Sequence, residues 1–171
     1  ESFRAYIDGS IANGEWTTVG DDVSYETPEF TWAGGAGSTD GAEALDLQFA
    51  GGVRFSGHGG ILDTTVENPR VVIDGDSALL IVDIHGTTQS GEAVDQAEVE
   101  FGELDLTDVT AMRDGDTLTW TGVPATLTES GSAAFGTYPA GEALDPLTIV
   151  ATVDADCGEA VETPDAAPTD E

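Results

Sequence analysis

Arg70-Val-Val-Ile-Asp-Gly-Asp-Ser-Ala-Leu-Leu-Ile-Val-Asp-Ile84 is the stretch on which the fold turns. Two runs of β-branched and aliphatic residues, Arg70 to Ile73 and Ala78 to Ile84, flank Asp74-Gly75, a dipeptide suited to reversing one strand into the next. Outward from this hairpin, similar runs recur at Glu29 to Trp32, Leu45 to Phe49, Val53 to Phe55, Ala97 to Phe101, Thr117 to Thr121, Ala125 to Thr128 and Leu147 to Val153. Asp114-Gly115 marks a second hairpin. Leu45, Leu47 and Phe49 alternate with Asp46 and Gln48, the period of a half-buried strand. The pattern predicts a mainly β fold, a single β-rich domain of sandwich-like antiparallel sheets with one or two short helices. The persuasive helical piece is the opening, where Phe3 and Ile7 share one stripe and Ser2 and Tyr6 another. Gly34 to Gly41 reads as a flexible loop, and no internal repeat is visible.

Composition bounds the rest. A chain of 171 residues with 39% hydrophobic residues supports one domain with a real core. Four arginines, no lysine and 34 acidic residues give a net charge of −30. That field repels nucleic acid phosphate and anionic lipid alike, so neither is an expected partner. No apolar run approaches the roughly 18 to 20 residues that span a bilayer, so membrane insertion by this segment is not expected. No basic and apolar leader opens the chain, and Glu1 in place of Met suggests processing or trimming. The single Cys157 excludes an internal disulfide, and one Cys with two His cannot complete a four-ligand Cys/His zinc site. The body should end near Val153. Residues 154–171 are acidic, carry proline and lack aromatics, the composition of a disordered linker.

The chemistry-bearing segment is Phe55-Ser-Gly-His-Gly-Gly-Ile-Leu-Asp63, which holds one of only two histidines. Glycine adds no Cβ, so a large group can come close to the His58 imidazole. A deprotonated tyrosine oxygen is a hard, anionic ligand suited to ferric iron, and tyrosine is among the axial ligands of haem. Its ordinary pKa is about 10, so at neutral pH such a ligand relies on the metal and on a neighbour to stabilise the phenolate. Ser2 and Tyr6 on one helix face, with His58 from a glycine loop, would supply a propionate anchor, an iron ligand and a hydrogen-bond partner that tunes it. Whether these segments meet is a matter of tertiary structure.

Three other classes compete. His58-Gly-Gly echoes an oxyanion loop, but no serine sits in a Gly-x-Ser-x-Gly elbow. A calcium-binding, acidic β-rich surface or adhesion module is suggested by Asp74-Gly-Asp76, Asp114-Gly-Asp116 and Asp154-Ala-Asp156. None matches the twelve-residue EF-hand loop, and the first two serve equally as turns. A halophilic enzyme would explain the acid, yet no catalytic constellation accompanies it.

Four stretches carry a resemblance. Ser2-Phe-Arg-Ala-Tyr-Ile7, Val53-Arg-Phe-Ser-Gly-His-Gly-Gly-Ile-Leu-Asp63, Asn68-Pro-Arg-Val-Val-Ile73 and Tyr138-Pro-Ala-Gly-Glu-Ala-Leu-Asp-Pro-Leu147 resemble, in order, the HtaA-type haem-binding domain of actinobacterial surface haem-uptake proteins. The resemblance covers about residues 1 to 153. It implies a β-rich carrier of haem b (ferric protoporphyrin IX), not an enzyme, in which Tyr6 ligates the iron and His58 bonds to that tyrosine. It further implies that Ser2 contacts a propionate and that Phe3, Phe135 and Tyr138 line the pocket. Its expected setting is extracellular, at the cell surface of a Gram-positive bacterium. The partners it implies are haem donors such as host haemoproteins, together with other envelope haem-binding proteins or a haem transporter. Only Arg4 and Arg54 lie near the segments of Tyr6 and His58, a departure from a site with strong propionate salt bridges. His85 should point outward at a strand end, and Tyr25 has no tie to the site.

Overall fold

The computed structural model describes residues 14–26, 29–39, 44–88, 90–135 and 138–152. The expected opening helix and the expected tail 154–171 lie outside the described residues. The elements are β1 (Glu15–Val19), β2 (Val23–Glu26), β3 (Glu29–Trp32), β4 (Ala36–Thr39), β5 (Ala44–Gln48) and β6 (Gly52–Gly57). A single 3-10 turn (His58–Gly60) leads to β7 (Leu62–Asp74), β8 (Ser77–Thr87), β9 (Ala93–Leu104), β10 (Met112–Asp114), β11 (Thr117–Leu127), α1 (Glu129–Phe135) and β12 (Ala143–Thr152). The fold is mainly β, and every pairing is antiparallel. The main sheet runs β1-β6-β7-β8-β9-β11-β10, with β5 joining β7 beyond β6, β4 on β5, and β12 on β11; β2 and β3 form a hairpin of their own. Both Asp-Gly signals are two-residue turns, since Asp74 pairs with Ser77 and Asp114 with Thr117.

The long strands keep one apolar face by bulging. In β7 the residues packed into the apolar clusters are Leu62 and the partly buried Val66, then Val71 and Ile73, a change of parity that a regular strand would not allow. The change falls between Glu67 and Arg70, where the register slips and Asn68 sits at φ 53. Asparagine tolerates this left-handed conformation better than most residues. A second slip in β9 places Glu98 at φ 52, between Gln96 opposite Ile84 and Val99 opposite Val82. One side chain serves both bulges. Asp83 Oδ2 accepts from Asn68 Nδ2 at 2.9 Å and Asp83 Oδ1 accepts from the Glu98 N–H at 2.8 Å.

Leu45 of β5 and Ile149 and Ala151 of β12 share one buried cluster with Ile73 and Trp120, so the two ends of the sheet close over a common core. The sheet is therefore curled and sandwich-like, and Trp120, 2% exposed, lies in that core. Ala134 of α1 covers a second cluster of Val82, Ile84, Val94 and Val99. Thr128 caps this seven-residue helix by accepting the Gly131 N–H at 2.9 Å.

Several sequence expectations need correction. Gly34 to Gly41, read as a loop, contains β4, paired with β5 from Ala36 opposite Gln48 to Thr39 opposite Leu45. Backbone pairing needs no apolar alternation, and Ala-Gly-Ser-Thr offers none. Thr117 to Thr121 and Ala125 to Thr128, read as two strands, form the single β11, bent by register shifts around Val123. The sequence reading did not mark α1, because seven residues are too few to display a helical period.

Candidate ligand recess at the His58 turn

β6 carries the chain to Gly57, which pairs with Leu62 as β7 returns, so the intervening His58-Gly59-Gly60-Ile61 is a tight reversal at the sheet's end. His58, Gly59 and Gly60 have φ values of 52, 66 and 99. For a histidine this left-handed conformation costs about 1–2 kcal/mol. His58 is half-buried. A Cβ placed on Gly59 or Gly60 would meet nothing within 4 Å, so the turn beyond His58 borders open space. The space is a recess of about 440 Å³ lined by Gly14, Glu15, Ser56, Gly57, Gly59 and Gly60. Ligand clefts commonly fall at about 300–1,000 Å³. A smaller recess of about 220 Å³, lined by Glu15, Thr17, Arg54 and Ser56, adjoins it. Four of the six lining residues of the larger recess are glycine, so a flat ligand could approach the backbone here closely.

Gly14 ties the amino-terminal segment to this place. A Cβ on it would stand 1.8 Å from the Ser56 carbonyl oxygen and 2.8 Å from Gly57 Cα, a contact only glycine permits. Gly14 thus lies on the rim of the recess, against the end of β6 that leads into the His58 turn.

The local cation is engaged. Arg54 donates from Nε and Nη2 to Asp63 at 2.7 and 2.6 Å. The guanidinium holds the Asp63 carboxyl below the usual carboxylate range, and the carboxylate raises Arg54 in turn. Arg70 makes the same fork to Asp46 at 2.8 and 2.6 Å, and its Nη1 lies 3.5 Å from Glu98. A carboxylate entering the smaller recess would compete with Asp63 for Arg54.

On the face of β1 and β6 opposite the recess lies an aromatic cluster that the sequence reading missed. Phe55 and Leu62, which bracket the turn, are buried with Val23 and Val53 against Trp16, Phe30 and Trp32. Trp16 meets Tyr25 at a ring-centroid distance of 4.2 Å and Phe30 at 5.1 Å, and Tyr25 meets Phe30 at 4.8 Å. Tyr25 therefore packs in a cluster whose centre, Trp16, pairs with Phe55. The available signal was Trp16-Thr-Thr-Val19, a β-branched run next to an aromatic.

Ser2, Phe3, Arg4 and Tyr6 lie outside the described residues. Phe135 is the last residue of α1. Tyr138 is half-buried just beyond it, and its carbonyl accepts from Ser132 Oγ at 2.6 Å. Val66 packs against both the cluster beneath α1 and the aromatic cluster, which places these two clusters on one face of the sheet. His85 is exposed, as expected, but lies within β8, with Nδ1 3.4 Å from Glu67 Oε1. The acidic pairs around Gly75 and Gly115 are hairpin turns, and among the described residues no three His, Cys, Asp or Glu side chains converge as a metal site.

A curled antiparallel β domain with a glycine-walled recess beside a left-handed histidine turn at one sheet end is an architecture suited to holding a small molecule. The HtaA family model, described as Htaa, matches residues 1–150, and the chain belongs to that family. It is similar to the crystal structure of the C-terminal domain of HtaA from Corynebacterium glutamicum, with 32% identity and a TM-score of 0.78 over 88% of this chain and 90% of that one. The N-terminal domain of the same protein gives 30% identity and a TM-score of 0.73 over 91% and 93%. Heme binding protein HtaB from that organism, at 23% identity and a TM-score of 0.60 over 88% and 90%, shares the fold. The comparison with curated proteins gave no match.

Proposed function

We propose that this chain is a haem carrier of the bacterial cell envelope, taking ferric haem b from a donor and passing it to a partner without transforming it. Tyr6 is the iron ligand, His58 its hydrogen-bond partner, Ser2 a propionate contact, and Phe3, Phe135 and Tyr138 the pocket wall. The domain spans residues 1–153, and 154–171 form a linker. The carrier acts outside the cell, at the surface of a Gram-positive bacterium. Haem donors and a haem-accepting envelope protein or transporter are its partners.

The observation that carries this reading is the seat of Gly14 on Ser56 and Gly57. Tyr6 precedes Gly14 by eight residues. Those eight residues reach about 12 Å as a helix and at most roughly 29 Å extended. Either length lets Tyr6 reach an iron held beside His58. The recess of about 440 Å³, walled largely by glycine backbone next to the His58 turn, supports the approach of a flat macrocycle. Haem brings the iron that a phenolate prefers in the ferric state, and the chain's part is to hold that phenolate, bond it and shield it from water.

Hemin titration followed by absorption and resonance Raman tests the reading. The wild type should show phenolate modes, and well-folded Tyr6→Ala should lose them even if apolar burial retains some hemin. His58→Ala should weaken retention about 10- to 100-fold while phenolate modes persist. Iron bound to imidazole in the wild type, or an unchanged spectrum in Tyr6→Ala, would refute the assignment.

A further inference from the structure

We infer that Thr87 is a positioning residue that holds the His58 imidazole in place for its ligand, an inference that rests on the haem reading above. Three consecutive residues at positive φ form the turn, and the bond that closes it, from the Ile61 N–H to the His58 carbonyl, is long at 3.4 Å. Gly59 and Gly60 present open space where a side chain would stand, and Ile61 is 54% exposed, so these three residues offer little side-chain packing to fix the turn. Its anchor comes from β8. Thr87 Oγ1 donates to the Ile61 carbonyl at 2.7 Å. Thr87 is itself fixed, because its own carbonyl accepts from Thr64 Oγ1 at 2.7 Å and Thr64 is 2% exposed. The path from the buried sheet to the imidazole thus runs Thr64, Thr87, Ile61, His58. A turn of two glycines and a left-handed histidine has many alternative conformations, and the Thr87 hydroxyl selects one of them.

Thr87→Val removes the hydroxyl at nearly constant shape, and Thr87→Ser restores it. Hemin release into an excess of a haem-scavenging apoprotein should be about fivefold faster in Thr87→Val, the effect of one hydrogen bond, and near the wild-type rate in Thr87→Ser. In a His58→Ala background, Thr87→Val should change release by under about 1.5-fold, because the hydroxyl acts through the imidazole. In the apo-protein, NMR signals of the His58 ring should shift and broaden in Thr87→Val, with His85 as internal reference. An equal effect of Thr87→Val with and without His58, or no effect on release together with unmoved ring signals, overturns the inference while leaving the haem reading standing. A wild-type chain that fails to retain hemin overturns the haem reading and this inference with it. Should Thr87→Val not fold, the same comparisons are made with Thr64→Val, which leaves Thr87 in place but unties it from the buried sheet.

Discussion

Replacing Asp83 with alanine should loosen three strands at once. Its carboxylate on β8 accepts from Asn68 Nδ2 in the β7 bulge at 2.9 Å and from the Glu98 N–H in the β9 bulge at 2.8 Å. Both partners occupy left-handed conformations, with φ 53 and 52, and those two bulges return the apolar residues of β7 and β9 to the core face. Hydrogen bonds to a charged group contribute roughly 1.5–3 kcal/mol each. Asp83 is half-buried, so the lower end applies and the pair is worth about 3 kcal/mol. For a domain of this size that is a fall in Tm of roughly 6–12 °C. Asp83→Asn should lose about half as much. Its oxygen can still serve the Glu98 N–H, but its amide would then face Asn68 Nδ2, donor against donor. Turning Asn68 over to relieve that would cost the bond its Oδ1 accepts from the Gly51 N–H at 3.2 Å. Thermal melts by circular dichroism, checked by urea titration, measure both variants, and exposed Asp95→Ala controls for removing one of many negative charges. A Tm change of under about 1 °C in Asp83→Ala, or an Asp83→Asn variant as stable as the wild type, would refute the clamp.

Tyr25→Ala should destabilise the chain by about 1–3 kcal/mol through its two ring contacts with Trp16 and Phe30, while the haem spectrum keeps its phenolate signature; loss of that signature in a folded variant would move Tyr25 into the site. Removing residues 154–171 should leave hemin affinity unchanged, and a collapse of affinity would shift the domain boundary past Val153. Asp63 titrates below the usual carboxylate range in the folded protein because of Arg54, so its ion pair contributes above about pH 4 and is lost as pH falls further. Arg54→Gln should therefore melt below the wild type at pH 6 and together with it at pH 2.5, and a gap that persists at the lower pH would show that Arg54 acts through packing instead.

Local signals in the chain were enough for the β class and for both Asp-Gly hairpins, because alternation and turn chemistry act between near neighbours. They also singled out His58, since a histidine among glycines is unusual in any context. The aromatic cluster stayed hidden because Trp16, Tyr25, Phe30 and Phe55 come from four strands, and only the pairing of β1 with β6 and the β2–β3 hairpin bring them together. The edge strand β4 left no trace in composition, because its stability comes from ladder bonds to β5 that any residue except proline can make. The parity change in β7 was visible as letters, Val66 then Val71, but its meaning depended on Asp83 reaching two bulges from a third strand. What the sequence by itself determined was the strand-forming character, the acidity and the chemistry available at His58. Tertiary structure alone decided that Gly14 lies on Ser56 and Gly57, and that Arg54 is spent on Asp63. The first joins distant segments of the chain and the second residues nine apart across the β6–β7 hairpin, and both are set by strand register, a property of the whole sheet.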